Sequence, residues 1–186
     1  EQKKIVCKYD FITYIDFRNK KNNQKFYAYK HFYKVFSHEC DFIFFIDVDE
    51  FITPNKTLLK DVITQYNEKN ILELIRVNYG DNDVFHNNYE SVIDTFSNNK
   101  YVVNDYNKKC AINCKTIGFK FISKYGKAVE NSQYIPYSNS TIEKEAISME
   151  YIYIRHFETR SFTDFLMKLK MGRSDTNIYS KPLLND

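Results

Sequence analysis

Carboxylates stand close together at the end of an apolar run, where their spacing could bind a metal ion. Asp47 and Asp49 are two residues apart, so on an extended segment both project to one side while Val48 faces away into apolar packing. Converging carboxylates repel each other unless a cation lies between them. Mg²⁺ and Mn²⁺ take one or two protein carboxylates and complete their shells with water and phosphate oxygens. The spacing predicts a divalent-metal site that could bridge to a diphosphate, and the alternative is a solvated acidic turn that caps the next helix.

The run before these acids, Phe42–Ile46, predicts the strand that positions them. Consecutive aromatic and β-branched residues are typical of a strand buried on both faces, in the middle of a parallel sheet. Ligands gather beyond the carboxyl ends of the strands in such a sheet, so we expect the acids to face a crevice.

The patterns around that run predict an α/β fold in a single domain, residues 1–186. A strand over Phe11–Phe17 and a helix over Phe26–Phe36 precede the run, and a helix between two strands implies a parallel pair. After the run, the spacing of apolar residues predicts a helix over Thr57–Lys69 and a strand over Ile71–Tyr79. We therefore expect a mostly parallel sheet flanked by helices.

A second segment with possible chemistry lies near the end of the chain. Met149–Phe157 has the composition of a strand, and Ser161 with Asp164 three residues later is typical of a helix N-terminus. Gly172 is a suitable stop for that helix. His156 therefore lies at a strand end just before a helix, either as a ligand or as a hydrogen-bonded structural residue.

These two segments resemble GT-A glycosyltransferases of family 92 and the related family-2-like enzymes. Residues 45–52, Phe-Ile-Asp-Val-Asp-Glu-Phe-Ile, match the family's Asp-x-Asp-Glu-Phe hallmark, with Phe42 where the family usually has Trp. Residues 156–161 match its His-aromatic-x-Thr-Lys-Ser block, with Arg160 in place of Lys. The resemblance covers about residues 11–173 and implies a GT-A-like, Rossmann-like fold. The family's first nucleotide-binding strand has no counterpart, so we expect the chain to be truncated at its N-terminus.

The resemblance implies a metal and a donor for the acidic cluster. In such enzymes the Asp-x-Asp motif, here Asp47 and Asp49, holds Mn²⁺ or Mg²⁺ on the diphosphate of a nucleotide sugar, for which a UDP-hexose is the expectation. His156 would supply a further ligand, and a mixed set of imidazole and carboxylates favours Mn²⁺. Glu50 would support the two aspartates or contact the donor.

Several basic residues are candidates to bind the donor diphosphate. A cationic clamp would stabilise the charge that develops on the leaving nucleoside diphosphate. For each of these residues the alternative is an ordinary surface cation. The candidates are Arg155, Arg160, Lys168 and Arg173, together with Lys115, which heads a stretch resembling the family's Lys-x-Ile segment.

The resemblance also implies an inverting transfer to a glycan or other hydroxyl acceptor. A carboxylate within hydrogen-bond reach must then take the acceptor proton. Asp81 and Asp83 are the candidates for that base, and a solvated turn rich in Asp and Asn is the alternative. Two further functions stay open: a metal-dependent phosphohydrolase or nucleotidyltransferase, and a degenerate carbohydrate-binding or scaffold domain.

Composition limits the partners and the compartment. The formal charge of +3 over 186 residues is too small to predict nucleic-acid binding. No apolar stretch approaches the roughly 18 to 20 residues of a membrane helix, although peripheral membrane association stays open. The cysteines, Cys7, Cys40, Cys110 and Cys114, form no convincing zinc pattern. We expect free thiols in the cytoplasm or at the cytoplasmic face of a membrane, with a Cys110–Cys114 bridge and the secretory lumen as alternatives.

Overall fold

The described part of the chain is organised around a six-stranded sheet with helices on both faces. The computed structural model describes residues 8–16, 24–86, 88, 90–97, 102–118, 144–158 and 160–171. The elements in chain order are α1 (Gln24–Phe36), β1 (Phe42–Phe44), β2 (Glu50–Pro54), α2 (Leu59–Thr64), β3 (Ile71–Tyr79), α3 (Val92–Phe96), β4 (Val102–Asn113), β5 (Lys144–Ile147), β6 (Ile152–His156) and α4 (Phe162–Met171).

The strand order is β1-β4-β3-β6-β2, and β5 also pairs with β3. β5 and β6 run parallel to β3 and follow each other along one of its edges. The pairs β1/β4, β3/β4 and β2/β6 are antiparallel. The α/β prediction is confirmed, whereas the described sheet is mixed rather than mostly parallel. The reason is β4, which inserts antiparallel between β1 and β3 and leaves β1 at an edge of this sheet.

The strand predicted over Phe11–Phe17 is wrong for residues 11–16, which form no strand. Phe11 is exposed, because no strand of the described sheet pairs with this segment to cover it. Residue 17 lies outside the described residues. The crossover unit expected before β1 is therefore absent from the described part, although its helix, α1, forms.

One face of the sheet packs against α1. Tyr33 of that helix is buried with Ile43 and Phe45 of the β1 segment and with Ile112 of β4. The Tyr33 hydroxyl donates a hydrogen bond to the backbone oxygen of Ile117, which ties the helix to the end of β4. Burial, with the Cys114 thiol nearby, raises the pKa of Tyr33 to about 12.

The opposite face packs against α2. Val62 of this helix is buried against a continuous apolar surface that includes Leu72 and Leu74 of β3, Ala111 of β4 and Ile154 of β6. A third cluster, formed by the carboxyl half of β3 with α3 and the residue after β6, lies on the α1 side of the sheet. The described sheet is thus covered on both faces, as an α/β fold requires.

Local patterns predicted several elements correctly. β3 spans the predicted Ile71–Tyr79, and β6 lies within the predicted Met149–Phe157. α4 begins after Ser161, whose hydroxyl accepts the Asp164 N–H at 3.1 Å. The helix predicted over Thr57–Lys69 is shorter, since α2 spans Leu59–Thr64.

The cysteines within the described residues are free thiols. Cys110 is buried in the α1-side core, with Cys40 and Cys114 packed against it. Burial, with the Cys40 thiol and Asp41 nearby, raises the pKa of Cys114 to about 11. The Cys110–Cys114 bridge does not form, and Cys7 lies outside the described residues.

Ile154→Ala should destabilise the fold by about 2–5 kcal/mol, because it removes a fully buried side chain from the α2-side core. Leu58→Ala is the matched control, since the Leu58 side chain is exposed, and it should change the free energy of unfolding by about 0.5 kcal/mol or less. Urea denaturation measures both values. Equal effects would show that the α2-side core is not packed as described.

Candidate functional site

The segment with the three acids is a tight turn. The Glu50 N–H donates to the backbone oxygen of Asp47 at 3.1 Å, and the Asp47 N–H donates to the Glu50 carboxylate at 2.9 Å. This hydrogen-bond pattern is that of a β-turn over residues 47–50. Val48 at its tip is 99% exposed, so the prediction that it faces apolar packing is wrong. The alternation argument fails here because the segment is not extended.

The Glu50 side chain is fully buried and must therefore be paired. Its carboxylate accepts a hydrogen bond from the Arg76 guanidinium at 3.2 Å and forms an ion pair with the Lys109 ammonium at 3.3 Å. The Lys109 side chain, 3% exposed, also donates to the Asp47 carboxylate at 2.9 Å. Glu50 thus supports the turn from inside, and its burial leaves no surface for contact with a donor.

These basic residues lie on the same face of the sheet as the α2-side core. Along β3, Leu72 and Leu74 are followed at the same two-residue spacing by Arg76 and Asn78, and along β4 Lys109 shares the face of Ala111. This face is apolar in the middle of the sheet and polar toward the carboxyl ends of β3 and β6.

Sequence reasoning missed Arg76, Asn78 and Lys109. The signal that could have found the first two is the change from apolar to polar residues along one face of the correctly predicted β3. Lys109 lies in β4, a strand that the sequence analysis did not predict.

His156 joins this polar group because it pairs in register with Glu50 of β2 and with Asn78 of β3. Its Nδ1 lies 2.7 Å from the Asn78 side-chain oxygen, and its Nε2 lies 3.7 Å from the Asp49 carboxylate. Burial lowers the pKa of His156, as does the nearby Arg76, against the opposing effect of Asp49, Glu50 and Glu158. The two ring nitrogens thus face different partners, Nδ1 the Asn78 side-chain oxygen and Nε2 the Asp49 carboxylate.

Asp49 is held by α4 and by the residue after β6. Its carboxylate accepts a hydrogen bond from the Lys168 ammonium at 3.0 Å, and its backbone oxygen accepts the Phe157 N–H at 3.0 Å. The Lys168 ammonium also donates to the backbone oxygen of Glu158 at 2.6 Å. The helix that carries Lys168 is fixed at its start by the Ser161 cap.

The donor atoms at this edge fit a hard or borderline divalent cation in their chemistry. Carboxylate oxygens of Asp47 and Asp49 and an imidazole nitrogen of His156 are ligands of the kind that Mn²⁺ and Mg²⁺ accept. The described residues nevertheless include no group of three or more His, Cys, Asp or Glu side chains arranged to hold a metal ion. The carboxylates of Asp47 and Asp49 are instead each paired with a different lysine.

The candidate base residues lie in the turn after β3, at the carboxyl edge where β6 also ends. The Asp81 carboxylate accepts the Asp83 N–H at 3.3 Å, as in an Asx-turn, and Asp83 is exposed. Asn82 and Asp83 have positive φ values of 52° and 59°. The carbonyls of Val84 and Phe85, next along this loop, accept the first N–H groups of α4.

Of the other predicted basic residues, Arg155 and Lys115 have partners away from Asp49. Arg155 projects to the opposite face of β6 and donates to Ser97 at 2.7 Å. Lys115 pairs with Asp41 at the start of β1, away from the carboxyl edge. The Nε atom of Arg160 is buried without a hydrogen-bond partner among the described residues, and Arg173 lies outside them.

Comparison with protein-family models finds no match to this chain, and no curated protein matches it at a significant level. Within the described residues, no helix is both long enough and apolar enough to cross a bilayer.

Lys109→Met should destabilise the fold by about 3 kcal/mol, because it leaves buried Glu50 with less compensation. Lys108→Met is the matched control at the neighbouring position. Lys108 forms a partly exposed ion pair with Glu73, so its loss should lower the free energy of unfolding by about 1 kcal/mol or less. Chemical denaturation of both variants measures the difference. Indistinguishable variants would contradict the structural role of Lys109.

The lowered pKa of His156 predicts a loss of stability in acid. When the pKa of a histidine is lower in the folded chain, the unfolded chain takes up the proton first as the pH falls. The stabilising contribution of the histidine is therefore complete above the unfolded pKa, near 6.5, and is lost as the pH falls through the lowered pKa of the folded chain. The free energy of unfolding of the wild type should therefore fall more between about pH 7.5 and about pH 5 than that of His156→Gln. Parallel pH dependences of the two proteins would contradict the prediction.

Proposed function

We propose that this chain is a metal-dependent glycosyltransferase domain of the GT-A type that moves a hexose from a nucleotide sugar, with UDP as the expected nucleotide, to a glycan or other hydroxyl acceptor. The observation that carries the proposal is the approach of His156 to Asp49, in the turn that also carries Asp47, at the carboxyl edge of an α/β sheet. The resemblance of residues 45–52 and 156–161 to family 92 and family-2-like enzymes supports it.

In this proposal Asp47, Asp49 and His156 hold the divalent ion, Mn²⁺ or Mg²⁺. The bound ion would neutralise charge on the diphosphate of the donor. Asn78 acts as a positioning residue: an Nδ1–H donated to its side-chain oxygen would leave the Nε2 lone pair of His156 available to the ion. Glu50 acts from the interior, where it fixes the turn that carries both aspartates.

The transfer itself needs a base and a stabilised leaving group. The acceptor oxygen attacks the anomeric carbon, the bond from that carbon to the diphosphate oxygen breaks, and the diphosphate departs with the electron pair. The acceptor proton passes to a carboxylate, for which Asp81 and Asp83 are the proposed candidates, supported by their position after β3. Lys168 and Arg160 are the proposed contacts for the departing diphosphate.

The free thiols of the described residues support a reducing compartment, so we place the activity in the cytoplasm or at the cytoplasmic face of a membrane. The proposed partners are the nucleotide sugar and the acceptor, without nucleic acid.

A second candidate is a degenerate domain that binds carbohydrate without a metal. The ion pairs of Asp47 with Lys109 and of Asp49 with Lys168 favour it, because they already neutralise the carboxylates that a metal would need. Such a domain would bind glycans independently of Mn²⁺ and UDP.

UDP with Mn²⁺ should raise the melting temperature of the full-length protein, because a ligand that binds only the folded state stabilises it. At a ligand concentration of a hundred times the dissociation constant the shift should be about 5–10 °C. Asp49→Asn should abolish the shift, whereas Asp94→Asn, at an exposed position in α3, should retain it. Differential scanning fluorimetry measures all three proteins.

No shift with UDP and Mn²⁺ in the wild type, or an equal shift in Asp49→Asn, would contradict the proposal. Release of phosphate or pyrophosphate from UDP-glucose without sugar transfer would instead indicate a phosphohydrolase or nucleotidyltransferase.

A further inference from the structure

We propose that Lys168 is an exchangeable counter-ion: it neutralises Asp49 while the site is empty of ligand, and it transfers to the diphosphate when metal and nucleotide bind. This inference rests on the proposed function of the site. The juxtaposition that motivates it is the Lys168 ammonium, 3.0 Å from the carboxylate of a proposed metal ligand.

The two lysines that neutralise the acidic turn differ in their freedom to move. Lys109 is 3% exposed and lies between two carboxylates, Asp47 and the fully buried Glu50, so its departure would leave a buried charge without compensation. Lys168 is 39% exposed and extends from the surface of α4. The Asp49–Lys168 pair is partly exposed, whereas Lys109 is buried, so a divalent ion could displace Lys168 more readily than Lys109.

Charge balance also favours this exchange. The carboxylates of Asp47, Asp49 and Glu50 already lie against basic side chains, those of Arg76, Lys109 and Lys168. A divalent cation added here is repelled by these cations, which disfavours metal binding alone. A diphosphate supplies the missing negative charge and a new partner for the displaced ammonium. Metal and diphosphate should therefore bind with positive coupling, and Lys168 should carry part of that coupling.

The position of Lys168 suits the transfer. Its ammonium lies between Asp49 and the backbone oxygen of Glu158, in the connection between β6 and α4. The start of α4 is held by the Ser161 cap and by the carbonyls of Val84 and Phe85. The helix can stay in place while the long lysine side chain changes its partner.

Lys168→Met should have opposite effects on the two ligands. Mn²⁺ alone should bind about two- to fivefold more tightly, because a competing cation is removed. UDP at saturating Mn²⁺ should bind about tenfold more weakly, because a charged hydrogen-bond donor to the diphosphate is lost. Electron paramagnetic resonance of free Mn²⁺ measures the first affinity, and titration calorimetry with UDP measures the second.

Lys170→Met, at an exposed position on the same helix, should leave both affinities unchanged, and Lys168→Arg should keep UDP binding near the wild-type value. Unaltered Mn²⁺ binding in Lys168→Met would overturn the counter-ion role, and unaltered UDP binding would overturn the transfer. With either of these two results, the proposed function would still hold if the wild type binds UDP in a Mn²⁺-dependent manner. A wild type that binds no UDP with Mn²⁺, or binds it equally without the metal, would overturn both.

Discussion

The buried carboxylate of Glu50 is the interaction on which the rest of the site depends. A charge removed from water must be compensated, and Glu50 finds its partners on three separate segments: the Asp47 N–H in its own turn, Arg76 on β3 and Lys109 on β4. These contacts join the acidic turn to the central strands. The conformation of the turn, and with it the placement of Asp47 and Asp49, therefore follows from satisfying a single buried anion.

The same constraint divides the site into a fixed half and an exchangeable half. Asp47 is paired with Lys109, which Glu50 holds in the interior, whereas Asp49, 18% exposed, is paired with a lysine from the surface of α4. The imidazole of His156 lies beside Asp49, with its Nε2 atom 3.7 Å from the carboxylate. In the proposed exchange, Asp49 is therefore the carboxylate that changes its partner.

Strong local patterns predicted a substantial part of this architecture. The apolar run of β3 and the capped start of α4 were predicted in place, since a strand's composition and a capping serine act over a few residues. The approach of His156 to the acidic turn was expected from the family resemblance and not from a local pattern. The mixed orientation of the strands was not predicted, because the antiparallel insertion of β4 depends on pairings between residues distant in the chain. Lys109 was missed together with that strand.

The sequence by itself determined the chemistry that is present: carboxylates in a tight cluster, an imidazole at a strand end and lysines on a late helix. Only the tertiary structure decided which charges meet. The pairs Asp47–Lys109 and Asp49–Lys168 join residues 62 and 119 positions apart. Electrostatic attraction depends on distance through space and on burial, and neither can be derived from spacing along the chain. The fold therefore made Glu50 a buried support and placed Val48, expected to pack, in solvent.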